Sequence, residues 1–509
     1  MEHPVFSQHL KTLLLACGGL GVAVVAGWNL GSGNYEAVIF ATVILAAASL
    51  VFFSGQFFWI LAVASSFLGG TFPILGGSFT PFQILMALGI IRFIAGDIIL
   101  KRATIKYGPV FDRLMIAGFI AVLTLHAAHD RFGMRFLGSN IWGGRNYVNV
   151  YIGLAAFFVI QSVPMRSKLW AKLPYIVLAV TTFDLIIAVI TTIFPASIYK
   201  IYPFYSAVSR AGLEEIVTGN PVETQRVGAI GNFGFILILL VLASTSLRRL
   251  FTLSSFLRLL TVIVALIAVL YSSFRSTVLN TLSAVVVAGI RDLKFKVVLL
   301  LLFLVFCLVG LSLLNSQVVR LPKQVQRSLT FLPGDWDANM TADANDSNEF
   351  RRRVWTLWAQ DYFPVHPLLG RGFGFRSEWA QGTERSHSPE ESHQMVEVGN
   401  IHNGLFATLD AFGVIGTIFF IIWNVVLLVR AMRVPFDDRY SGAIALRFLS
   451  LYLATLIISY WIGAMTVGIF LPQEFALVGV FLSLQRSIKL ESASEQHSPP
   501  KVPEALAGI

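Results

Sequence analysis

His402 stands where a polar stretch gives way to a long apolar run, followed at once by Asn403 and, nine residues on, by Gly413-Val414-Ile415-Gly416-Thr417. If a helix begins there, its positive end faces the imidazole and favours the neutral form, which can accept a proton as a general base. Taken singly, a histidine at such a boundary also fits an interfacial residue. Arg275 sits in Ser272-Ser273-Phe274-Arg275-Ser276-Thr277, between two apolar runs. A cation at the edge of a bilayer needs an anionic or carbonyl partner, as a phosphate ligand or as an anchor. Arg351, Arg352 and Arg353 are consecutive, so on a helix they point in different directions and at most one or two face any site; the rest are placed for lipid headgroups. The stretch His366-Pro367-Leu368-Leu369-Gly370-Arg371-Gly372-Phe373-Gly374 alternates glycines with bulkier residues. Such a backbone can approach a ligand and offer its N–H groups to phosphate oxygens, or form a turn with no ligand at all.

The elements that must position these residues are membrane helices. The chain has 509 residues, 56% hydrophobic and 13% charged, too apolar for a soluble protein of ordinary composition. Apolar runs of roughly 17 to 25 residues recur along it, each long enough to cross about 30 Å of hydrocarbon as a helix. About fourteen spans are expected, beginning with residues 11–28, 37–53 and 57–72 and ending with 402–429, 445–466 and 470–486. Runs that are apolar on every face, such as Leu173 to Pro195 and Lys296 to Leu314, exclude the alternating strands of a β-barrel. The net charge of +10 does not point to nucleic acid, because the basic residues fall in short connections on one side of the span count. That side is expected to be cytoplasmic. The first apolar run carries no small-residue cleavage site and is expected to be retained as a span. Cys17 and Cys307 lie in apolar runs far apart and are expected as buried small side chains. Residues 1–314 thus form an N-terminal bundle of about eleven spans, 315–401 one large periplasmic loop, 402–486 the C-terminal spans and 487–509 a disordered cytoplasmic tail.

Within the loop, Asp346 and Glu349 have capping-box spacing ahead of Val354, Trp355, Leu357 and Trp358. An amphipathic helix is expected there, with both tryptophans at the membrane interface. The acidic stretch Gly334 to Asp346 is expected as a flexible lid or connector. Asp335-Trp336-Asp337 has the D-x-D spacing of some metal–sugar-phosphate sites, yet a solvated turn suits it better, and no metal is assigned. His387 and His393 are expected on the surface, Asp184 facing the bundle interior, and Gly413 with Gly416 at a close helix contact.

Together these segments resemble the O-antigen ligase and polymerase superfamily of membrane glycosyltransferases. His402-Asn403, nine residues, then Gly413-x-x-Gly416-Thr417 is similar to its H-N-x9-G-x-x-G-T pattern. Arg351 with Trp355, the Pro367 to Gly374 stretch and Arg275-Ser276 resemble the R-x-x-x-W, H-P-L-L-G-x-G-x-G and S-R segments that precede it. The resemblance implies a GT-C-like helical bundle in the inner membrane, a glycan donor on undecaprenyl pyrophosphate, and a lipid or glycan acceptor. It implies no cofactor and no metal. It further implies that His402 takes the acceptor proton, that Asn403 orients it or the acceptor, and that Arg275 and the loop arginines, best matched by Arg351 with Arg352 and Arg371 also placed for it, hold the pyrophosphate. Ligase and polymerase share this machinery. A flippase for lipid-linked oligosaccharides, with two related halves and midplane charges, would suit the span count, but no internal repeat is present. An export scaffold would leave the arginine and histidine spacing unexplained.

Overall fold

In hydrocarbon a backbone amide has no water partner, so a lipid-exposed apolar run must close its own hydrogen bonds as a helix. The computed structural model describes residues 55–74, 77–98, 108–129, 141–163, 166–202, 205–206, 227–376, 389–435, 442–462 and 472–497, with a few isolated residues between. Every expected span from residue 57 onward contains helix; 11–28 and 37–53 lie outside the described residues, as do Cys17 and His387. The main helices are α1 (Phe57–Ala64), α2 (Pro81–Arg92), α3 (Val110–His129), α4 (Gly144–Ser162), α5 (Leu173–Ile193), α6 (Gly228–Ser244), α7 (Phe256–Tyr271), α8 (Arg275–Leu293), α9 (Val297–Gln317), α10 (Lys323–Leu329), α11 (Ala338–Leu357), α12 (Pro389–Glu397), α13 (Gly404–Met432), α14 (Ala443–Ile462) and α15 (Pro472–His497). Among the described residues, 6 helical stretches are long and apolar enough to cross a membrane. Two antiparallel pairs of very short strands accompany the helices, Phe72–Ile74 with Gly77–Phe79 and Ile141–Trp142 with Phe375–Arg376.

α14 packs against α6, α8, α13 and α15, while α4 runs along α15 and α3 along α13. Buried aromatics such as Phe157, Trp423 and Phe475 fill the space between them. α9 lies apart, its Leu299, Leu302 and Phe306 exposed, as lipid-facing side chains would be, and Cys307 is half-buried rather than buried. Two carboxylates tie the bundle internally. Asp112, 0% exposed, accepts from Arg430 at 2.7 and 2.9 Å and from Trp423 at 3.0 Å, joining α3 to α13. Asp184 faces inward and accepts the Gly69 N–H at 2.6 Å and the Tyr205 hydroxyl at 2.5 Å. Both its oxygens hold the turn after α1.

The sequence after residue 486 was expected to be disordered, yet α15 continues to His497. Ser167 donates to Glu491 on it, so a residue of the same bundle holds the first of the added turns. In the loop, the helix begins well before the D-x-x-E pair. Asp337 caps it, accepting from the N–H groups of Asn339 at 2.9 Å and Met340 at 3.2 Å, and the alanines that follow favour its propagation. The stretch read as a flexible connector is therefore helical from Ala338, and Glu349 pairs with Arg352 instead of capping. The D-x-D is equally accounted for, since Asp335 accepts from Arg320 at 2.5 Å while Asp337 is the cap.

The largest departure lies in α13. Gly413 has φ +61° and ψ −170°, breaking the helix, and Gly370 opposite it has φ +81°. The loop segment from Pro367 to Gly372 enters the break. Arg371 and Gly372 donate their N–H groups to the carbonyls of Asp410 and Ala411 at 2.6 and 3.2 Å, and Val414 and Ile415 donate theirs to Pro367 and Leu368 at 2.9 and 3.1 Å. A Cβ on Gly413 would stand 2.2 Å from the Leu368 carbonyl oxygen, and one on Gly370 would stand 2.5 Å from the Gly413 nitrogen. Gly413 therefore makes a socket for the loop, not a helix–helix contact, and the N–H groups of Arg371 and Gly372 satisfy the broken helix, not phosphate. His126 on α3 fastens the same segment through the Leu369 carbonyl at 2.5 Å.

Candidate active site

His402 occupies the link between the loop and α13. Ile401 before it is fully buried among Phe350, Val354, Trp358, Val396 and Ala407, and its carbonyl accepts the Trp355 indole N–H at 2.9 Å. After it, Asn403 caps α13, its side-chain oxygen accepting from Leu405 at 3.1 Å and Phe406 at 3.2 Å. Held on both sides, His402 has φ +55°, a left-handed backbone that non-glycine residues seldom adopt outside over-determined sites. Its ring meets Phe350 edge-on with centroids 6.4 Å apart. Burial, and after it the charge of Arg351, hold the imidazole down to about 4, so at neutral pH it is the free base.

The three consecutive arginines of α11 separate as a helix requires. Arg351 stands toward His402. Arg352 points outward, its side chain 71% exposed, and pairs with Glu349 at 2.8 Å. Arg353 has its Nε buried with no hydrogen-bond partner among the described residues. The loop tryptophans pin α11 and the turn after it to the head of α13, Trp355 through the Ile401 carbonyl and Trp358 through Asp410 at 2.9 Å.

Arg371, expected on the donor phosphates, turns its guanidinium to protein. Its Nε and Nη2 each meet an Asp410 oxygen at 2.8 Å, Nη2 also reaches the Val396 carbonyl at 2.7 Å, and Nη1 is 3.6 Å from Glu397. The Tyr362 ring covers it at 4.7 Å. Burial alone would lower this guanidinium's pKa, but the hydrogen bonds and charge of Asp410 keep it above the ordinary value. Asp410 and His126 carried no visible signal in the sequence, because their partners lie in a distant loop.

Arg275 opens α8 directly after the tight turn at Ser272 and Ser273, the latter with φ +64°. Two routes connect this turn to His402. On the loop side, Ser328 of α10 donates to the Leu270 carbonyl at 2.7 Å, and Arg327 beside it pairs with Asp343 of α11. Within the bundle, Ser459 of α14 bonds Asn280 of α8, its neighbour Tyr460 bonds Thr408 of α13, and Thr408 donates to the Gly404 carbonyl at 2.9 Å. Arg275, Arg351 and His402 thus share one end of the bundle, the end covered by the loop.

If Arg351 is replaced by Met, the acid limb of a pH–rate profile should move up. Loss of the neighbouring cation favours the protonated imidazole, so the limb leaves the region of about 4 toward the ordinary 6.5. Burial, the larger cause, stays, so the shift should be partial. An unmoved limb would separate Arg351 from His402.

The fold and this site define a class: a multi-pass helical membrane protein whose loop folds back onto a broken helix and holds a buried histidine, with Arg351 near it, at the helix's head. Residues 216–421 match the family model described as O-antigen ligase. The match takes in Arg275, Arg351 to Arg353, Arg371 and the whole histidine motif, and it supports the O-antigen ligase superfamily, whose members are membrane glycosyltransferase-type enzymes. No curated protein matches the chain.

Proposed function

We propose that the protein moves a glycan from undecaprenyl pyrophosphate to an acceptor hydroxyl at the periplasmic face of the inner membrane, as an O-antigen ligase does. The observation that carries this reading is the buried His402, held at positive φ between the Ile401 anchor and the Asn403 cap within the stretch that matches the O-antigen ligase family model. His402 removes the acceptor's hydroxyl proton, the oxygen attacks the anomeric carbon, and the bond from that carbon to the pyrophosphate oxygen breaks. Arg275 and Arg351 meet the charge growing on the leaving group. An imidazole held near 4 is a weak base in the free enzyme. A bound pyrophosphate offsets the Arg351 charge and raises its basicity when the proton must be taken.

The arginines divide by their partners. Arg352, exposed and paired with Glu349, is left for headgroups or the outer phosphate, while Arg371 acts as a positioning residue through Asp410. Asn403 keeps its amide NH2 for substrate, since its oxygen caps α13. In cells, Arg275→Ala should lower transfer roughly ten- to a hundredfold, the worth of one charge-assisted phosphate contact, with lipid-linked precursor building up at unchanged protein level. Normal surface glycan in that variant would remove Arg275 from the donor site. Accumulation of single repeat units, in place of unattached long chains, would mark polymerisation as the lost step.

A further inference from the structure

A cavity of about 310 Å³ lies between the start of α4, the Gly372–Gly374 segment, the end of α12 and Asp410 of α13. His402, Arg275 and Arg351 are not among its lining residues. Asn146 and Asn149 enter it from one face of α4, three residues apart. Asn400 also lines it, only two residues before His402, so their backbones are at most about 7 Å apart. The Asn400 Oδ1 is buried with no hydrogen-bond partner among the described residues, and its Nδ2 reaches only the Met395 sulfur at 3.5 Å. Each carboxamide offers an acceptor and two donors, the complement of a sugar hydroxyl that gives one proton and accepts others. The charge in the wall is two carboxylates, Glu397 and Asp410, against the one guanidinium of Arg371, so a pyrophosphate is disfavoured and a neutral polyhydroxylated group is not.

We propose that this cavity is a glycan subsite that takes the neutral sugar bearing the attacking hydroxyl. His402 then sits between a carboxamide side for the acceptor and an arginine side for the donor pyrophosphate. This assignment of donor and acceptor rests on the transferase reading. The test is saturation-transfer NMR on the detergent-solubilised full-length protein with a panel of neutral disaccharides, and inorganic pyrophosphate as competitor. Sugar signal should appear with the wild type, survive excess pyrophosphate, persist in His402→Ala, and fall at least about fivefold in Asn149→Leu and Asn400→Leu. Asn149→Asp, which keeps the side-chain shape and still accepts from sugar hydroxyls, should retain signal that Asn149→Leu loses, which guards against a folding artefact in the leucine variants. No signal with the wild type, displacement by pyrophosphate, or undiminished signal in the leucine variants would overturn the subsite. Sugar binding in a protein that transfers nothing would instead sink the transferase reading and leave the cavity's ligand class standing.

Discussion

His402→Ala is expected to lower glycan transfer by roughly a hundred- to ten-thousandfold, the usual contribution of a positioned general base, with donor affinity nearly unchanged. The expectation follows from three separately held features. The imidazole is unprotonated because it is buried near Arg351, its backbone is locked between the Trp355 bond to Ile401 and the Asn403 cap, and Arg275 shares its end of the bundle. Transfer by purified protein, with donor binding measured alongside, separates the outcomes. A fall in transfer with donor binding intact assigns His402 to chemistry; a matching fall in both makes it part of the donor pocket. Activity within a few-fold of wild type would end the general-base assignment.

Asp410→Ala should have the larger effect on the protein itself. It leaves the Arg371 guanidinium, 19% exposed, without its bidentate partner and orphans the Trp358 indole N–H. Breaking a buried pair from one side costs about 3 to 5 kcal/mol, so thermal unfolding in detergent should come markedly earlier. Because the penalty comes from the uncompensated charge, Arg371→Met added to Asp410→Ala should recover part of the loss. Strict additivity of the two substitutions would show that the pair is not what holds the loop.

The transmembrane character was legible because hydrophobic length is a local property, and the histidine boundary because His402-Asn403 combines a titratable group with a cap at the head of an apolar run. Partners brought together across the fold were not legible. Asp410 is 39 residues from Arg371, and nothing local distinguishes it from an ordinary polar residue in a span. A G-x-x-G spacing serves helix packing and a socket for a loop alike; only the positive φ of Gly413 tells them apart. The start of α11 was placed late because Asp337, which caps it, also belongs to a D-x-D. The loop tryptophans have the composition of interface anchors, and nothing local shows that their N–H groups reach the Ile401 carbonyl and the Asp410 carboxylate.

The break at Gly413 also bears on how the protein is made. A continuous helix satisfies its backbone as it leaves the insertion machinery, but α13 depends on residues 367–372 to accept from and donate to the groups exposed at its break. Those residues precede α13 in the chain and lie in the loop, so the loop must have begun to fold before this helix can settle. Until it docks, each unmet amide or carbonyl at membrane depth costs several kcal/mol. The first half of α13, which follows His402, therefore settles only once the loop has docked into the break.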